Sequence, residues 1–146
     1  MKIIFIPAYV KSEVNESKIS EISKKLPQQI AIAYSIQYKK IAKEIKEILS
    51  KKHNITKFIQ VLGCSKSEFQ NTQAVLLIGS GKFHAVSLAL QSNLPIYILD
   101  NNIFQKISDK EVQSLRMRQK SSYLKFLNAK KIGILVSTKP GQQNLA

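Results

Sequence analysis

Three short stretches of this 146-residue chain carry residue types that can do chemistry, and each follows an apolar run. The first, Leu62-Gly63-Cys64-Ser65, holds its single cysteine. A thiol at a strand exit, after a glycine that lets the backbone turn, can serve as a thiolate ligand or a nucleophile. A lone cysteine equally serves as a small inert hydrophobe. No CxxC, HxxxC or second cysteine accompanies it, so the chain has no internal disulfide and builds no thiolate metal cluster alone. The second stretch, Ile78-Gly79-Ser80-Gly81-Lys82-Phe83-His84, runs from an apolar segment into a helical pattern. Glycines there let the chain fold tightly and present helix N-terminal amides to a carboxylate or phosphate. It is not a phosphate loop, because Lys82 is followed by Phe83 rather than Ser or Thr. Nor is it the dinucleotide fingerprint, because His84 stands where the third glycine belongs, although Asp100 lies at the distance of that motif's acidic residue. His84 is either a donor to a ligand or a partly exposed helix-end histidine. The third stretch, Ser137-Thr138-Lys139-Pro140-Gly141-Gln142, combines a Pro-Gly turn with the hydroxyls and the Gln142 amide as donors.

These stretches need a frame that brings them to one edge. Continuous runs of Ile, Val, Leu and Ala recur at 3–6, 30–34, 58–62, 74–78, 96–99 and 132–136, the pattern of strands buried on both faces. Helical patterns separate them. Tyr38, Ile41, Ala42, Ile45, Ile48 and Leu49 fall on one stripe, with lysines left for the wet face. A second helix starts at Lys82 or Phe83 and turns Val86, Ala89 and Leu90 inward. Ser108 and Glu111 have capping-box spacing ahead of a long helix bearing Val112, Leu115, Tyr123, Phe126 and Leu127 and ending near Lys130. Strands alternating with helices predict a three-layer α/β sandwich around a parallel sheet, with ligands gathering at the carboxyl ends of its strands.

Composition narrows the class. Hydrophobic residues make up 44% of the chain, enough for a real core. No apolar stretch approaches the roughly 20 residues of a membrane span, and the amino terminus lacks a secretory signal's cleavage site; the expectation is a cytoplasmic protein without a membrane partner. Lysine and arginine number 23 against 9 acidic residues, a net charge of +14. All but Arg116 and Arg118 of these cations are lysines, which fits a lysine-biased composition better than a nucleic-acid face built on arginine forks.

A repeat adds to this. The order strand, helix, strand at 3–6 and 30–34 returns at 96–99 and 132–136, each pair reading as the last strand of one α/β unit, a connecting helix and the first strand of the next. The expected organisation is residues 1–25 as the end of a preceding unit and connecting helix, 26–129 as a complete central domain, and 130–146 as the first strand and loop of a truncated following unit.

The blocks Leu62-Gly63-Cys64, Ile78 through His84, Leu88-Ala89-Leu90 with Leu94-Pro95-Ile96-Tyr97, and Ile132 through Gln142 together resemble the diphthamide-synthesis family. Its members are the archaeal and eukaryotic 2-(3-amino-3-carboxypropyl)histidine synthases. Their order and approximate spacing match from Met1 to Gln142. The resemblance implies three homologous α/β domains per subunit, usually in a dimer, each giving one cysteine to a four-iron four-sulfur cluster. The cluster's open iron binds S-adenosylmethionine and yields a 3-amino-3-carboxypropyl radical, which adds to a histidine of translation elongation factor two. Cys64 matches the middle domain's cysteine and so would be a metal ligand. Gly79, Ser80, Gly81 and His84 are assigned by the resemblance to the cluster and cofactor cleft, and Gln37 and Gln142, which follow equivalent strands of successive units, would face the same cleft. Two departures stand out. The cysteines of the first and third domains are absent, and Tyr38 follows Gln37 where the family commonly has His.

Two readings follow. In one, the chain is part of a split or truncated synthase and works with partner chains carrying the other two domains, or as a homo-oligomer. In the other, it is a non-catalytic basic α/β module that binds a partner or a nucleotide.

Overall fold

The computed structural model describes residues 8–11, 13–61 and 67–137. The chain divides into two compact units, residues 1–115 and 116–146. The first is built on a five-stranded sheet in the order β2-β1-β3-β4-β5. Strands β1 (Gln29–Tyr34), β2 (Asn54–Gln60), β3 (Ala74–Ile78) and β4 (Ile96–Asp100) run parallel, as their continuous apolar character requires, and β5 (Ile103–Lys106) adds an antiparallel edge. The predicted strand at 58–62 thus starts earlier, at Asn54, because an edge strand tolerates polar Asn54, Thr56 and Lys57. Its extra residue forms a bulge opposite Ile30 and Ala31, where the Thr56 hydroxyl bonds the Ile30 carbonyl at 3.2 Å.

Alternate residues of each strand feed different layers. Ile30, Ile32, Tyr34, Leu76, Ile78 and Leu99 face α1 (Glu16–Ser23) and α2 (Lys39–Leu49), meeting Ile19, Ile22, Ile41, Ala42, Ile45 and Leu49. Ala31, Ala33, Val75, Leu77, Ile96 and Ile98 face α3 (Lys82–Ser92), meeting Ala85, Leu88 and Ala89. The three-layer sandwich is therefore present, with two differences of register in α3. Ala85 and Leu88 point inward where Val86 and Leu90 were expected, and both of the latter are half-buried. Helix α1, placed by the sequence in the segment 1–25, packs into the same core.

Helix α4 (Asp109–Leu127) begins on the predicted capping box: the Ser108 amide and hydroxyl reach Glu111 Oε2 at 3.0 and 2.8 Å. Val112 packs on the α3 side of the sheet. Along the second unit the helix's apolar residues are exposed, Tyr123, Phe126 and Leu127 among them. The run 132–136, expected as a strand, is irregular backbone, with Ile134 85% and Leu135 101% exposed. A strand needs a neighbour to take its amides and carbonyls, and none pairs with this run among the described residues. The predicted strand at 3–6 lies outside the described residues.

Candidate functional site

Register fixes where the loops emerge. Gln60, Tyr34, Ile78 and Leu99 form one row across β2, β1, β3 and β4 at their carboxyl ends. From β1 the chain returns to β2 on one side and to β3 on the other, so the sheet's switch point lies between β1 and β3, where open α/β sheets leave a crevice. Two loops line it: Ser35 with the 3-10 turn η1 (Ile36–Tyr38), and Gly79-Ser80-Gly81 ahead of α3.

The two loops touch. The Ser35 amide donates to the Ile78 carbonyl at 3.2 Å, and the Gly79 amide to the Leu99 carbonyl at 3.2 Å. A Cβ at Gly79 would stand 2.9 Å from the Ser35 hydroxyl oxygen, so glycine is required here by close approach. That hydroxyl oxygen is buried with no partner among the described residues. Gly81 is required for a different reason. Its φ of +77° and ψ of 147° lie in a region open to glycine alone, while the space beside its Cα is empty. Helix α3 has no side-chain cap and no acidic residue in its first turn, which leaves its N-terminal amides facing outward.

Side chains complete the rim. Tyr38, 6% exposed, donates its hydroxyl to Asp100 Oδ1 at 3.4 Å, and Asp100 Oδ2 accepts the Gly81 amide at 3.3 Å. Burial, together with the neighbouring Asp100 charge, holds the Tyr38 phenol above its ordinary pKa against the opposing pull of Ser80. Beneath Tyr38 lies a cavity of about 20 Å³ lined by Ile19, Ile41, Ile45, Ile78 and Leu99, room for one water and no more. Lys82 turns away to Glu111, 2.8 Å distant.

Of the residues singled out by sequence, Gly79, Ser80 and Gly81 sit on this rim, His84 is half-buried in the first turn of α3 with its ring edge-on to Phe83, and Gln37 is exposed in the neighbouring turn. Cys64 and Gln142 lie outside the described residues. Cys64 follows Gln60, the last residue of β2, by four positions. No group of three or more His, Cys, Asp or Glu side chains able to hold a metal occurs among the described residues. Ser35, Tyr38 and Asp100 were not assigned to the site from sequence. Tyr38 reads there as part of the α2 stripe and as a departure from the family's His, and Asp100 only as standing at the distance of a dinucleotide motif's acidic residue.

A mostly parallel, open sheet with helices on both faces and a glycine-rich loop at its switch point defines an open α/β domain. The chain belongs to the diphthamide synthesis protein family, whose model matches residues 1–146. It is 30% identical to 2-(3-amino-3-carboxypropyl)histidine synthase of Methanocaldococcus jannaschii and 33% identical to that of Pyrococcus horikoshii, over 97% and 98% of its own length. It spans 42% and 45% of those proteins, under half of either. The crystal structure of Dph2 from Pyrococcus horikoshii with a 4Fe-4S cluster superposes with a TM-score of 0.72 at 29% identity, covering 89% of this chain and 41% of that one. A second crystal structure of the same protein matches equally well. None of the described helices is long and apolar enough to cross a membrane.

Proposed function

We propose that this chain is the central α/β unit of a diphthamide synthase assembly that transfers the 3-amino-3-carboxypropyl group of S-adenosylmethionine to a histidine of translation elongation factor two. The observation that carries this reading is the family match over residues 1–146, on a chain whose glycine loop opens at the switch point of the sheet. In this reading Cys64 is one thiolate ligand of a four-iron four-sulfur cluster. One thiolate does not hold such a cluster, so the others come from the flanking domains or from further copies. When bound, the cluster supplies the electron that breaks the sulfonium's bond to the γ-carbon.

The remaining roles belong to this chain's own groups. The outward amides of α3 and the Ser80 hydroxyl receive the carboxylate of the aminocarboxypropyl moiety, and His84 donates to it from the first turn. Gln37 and Gln142 face the cleft from the turn after β1 and from the last loop. The exposed run 132–136 supplies the first strand of the following unit, which gives its unpaired backbone a ladder. The working place is the cytoplasm, where elongation factor two is found.

The test pairs S-adenosylmethionine binding and modification of the elongation factor's histidine with thermal unfolding. Gly81→Val is expected to abolish cofactor binding in the reconstituted assembly, because Val cannot hold φ of +77°, while the sheet still melts cooperatively. His84→Ala is expected to lower modification more than stability. Equal losses of stability and activity in both variants would return the chain to a non-catalytic α/β module.

A further inference from the structure

Asp100 ends β4 outside the apolar packing of the sheet, yet its carboxylate ties together loops from two other strands. One oxygen accepts the Gly81 amide at 3.3 Å and the other the Tyr38 hydroxyl at 3.4 Å. The result is a hydrogen-bonded bridge across the switch point, joining the exits of β1, β3 and β4 through one carboxylate. We infer that Asp100 is a positioning residue: it holds the Gly79-Ser80-Gly81 loop and Tyr38 in the arrangement that receives the ligand. The inference rests on the reading that this loop binds S-adenosylmethionine.

Three observations carry it. Gly81 occupies a backbone region in which glycine has no strong preference of its own, so an external bond must select it. Tyr38 is buried, and its hydroxyl has to find an acceptor at the crevice. The two donors approach from different loops and need two acceptor oxygens on one rigid support. A carboxylate at a strand end supplies both, whereas the amide of an asparagine accepts through one oxygen and turns an N–H toward the other donor. The same geometry has a consequence for the ligand. Because an internal carboxylate already occupies the Gly81 amide, an anionic ligand group is met by the next amides of α3, those of Lys82 and Phe83.

The experiment measures amide hydrogen exchange at Gly81 in the 146-residue chain and, side by side, S-adenosylmethionine titration of the reconstituted assembly containing it. Asp100→Asn, nearly the same size, is expected to speed Gly81 exchange roughly tenfold and to weaken S-adenosylmethionine binding by a similar factor, the usual scale for a bond to a charged acceptor, at a melting temperature close to the parent's. The control is Ser23→Ala, which removes the buried 2.7 Å bond to His53 far along the chain and is expected to lower the melting temperature without moving either readout. Parental exchange and affinity in Asp100→Asn overturn the inference while leaving the binding reading intact. So does an affinity loss that merely tracks melting temperature, as it would if Ser23→Ala shared it. A reconstituted assembly that binds no S-adenosylmethionine, with Gly81 still released by Asp100→Asn, removes the binding reading and with it the ligand that Asp100 is argued to serve.

Discussion

Gly79 and Gly81 are two residues apart and are glycine for opposite reasons, one spatial and one conformational. The Gly79 requirement comes from a single oxygen, Ser35 Oγ at 2.9 Å; the next nearest atom, Ser35 Cβ, is at an ordinary 3.5 Å. Gly79→Ala is therefore expected to cost about 1–3 kcal/mol of unfolding free energy through overpacking. In a Ser35→Ala background that cost should fall by about 1 kcal/mol or more, because the offending oxygen is gone. Urea unfolding of the four chains of this cycle reads the coupling directly; additive costs would mean the loops are held apart by something other than this contact. At Gly81 no such rescue exists, since nothing lies within 4 Å of the added Cβ and the strain is in the backbone itself. The sequence showed both glycines as one flexible loop. It could not separate them, because neither a positive φ nor a 2.9 Å approach leaves a mark in residue type.

At the scale of elements, the parts that were legible are those fixed by local chemistry. The buried strands β1, β3 and β4 announce themselves as unbroken apolar runs, and α4 by the spacing of Ser108 and Glu111. The edge strands were harder. β5 follows Asn101-Asn102, whose φ values of 43° and 69° make the two-residue turn that closes an antiparallel hairpin on β4. Phe104 stacks on Tyr97 across that pair at 5.3 Å, a contact visible only once the strands are paired. The run 132–136 is irregular backbone here, since an apolar pattern without a neighbouring strand does not make a ladder.

The α4 start also carries a pH dependence. Bonds to Lys82 and to Ser108 hold the Glu111 carboxyl down from 4.5 to about 2. A depressed folded-state pKa means that the stabilisation is complete above about pH 4.5 and is lost as pH falls through about 2. Glu111→Gln should accordingly lower stability at neutral pH, while the gap to the parent closes toward pH 2. Added salt should narrow the Lys82 share of that gap, since the pair is solvent-facing. Thermal unfolding across pH measures this, and a gap independent of pH would remove Glu111 as its source.

For the whole molecule, the parallel order β2-β1-β3-β4 places the exits of four strands on one rim, and that topology gathers Gly79, Gly81, Tyr38 and Asp100 although they are scattered along the chain. The candidate site was half legible for this reason: the loop motif and the lone cysteine could be named from sequence, whereas Ser35, Tyr38 and Asp100 join it only through the packing of one strand exit against another. With one cysteine, the isolated chain given iron and sulfide without oxygen is expected to show no stable visible charge-transfer absorption. Stoichiometric cluster formation by a monomer would contradict a shared site.

The central claim, that this chain is one unit of a larger synthase and contributes Cys64 to it, is tested most directly by graft. The matching 41% of Pyrococcus horikoshii Dph2 is replaced by this chain, and transfer of labelled 3-amino-3-carboxypropyl group from S-adenosylmethionine to elongation factor two is measured with Cys64 and with Cys64→Ala. The account predicts label on the factor's histidine with Cys64 and none with Ala. Equal labelling with and without the thiol, or a folded graft that labels nothing in either form, would contradict it.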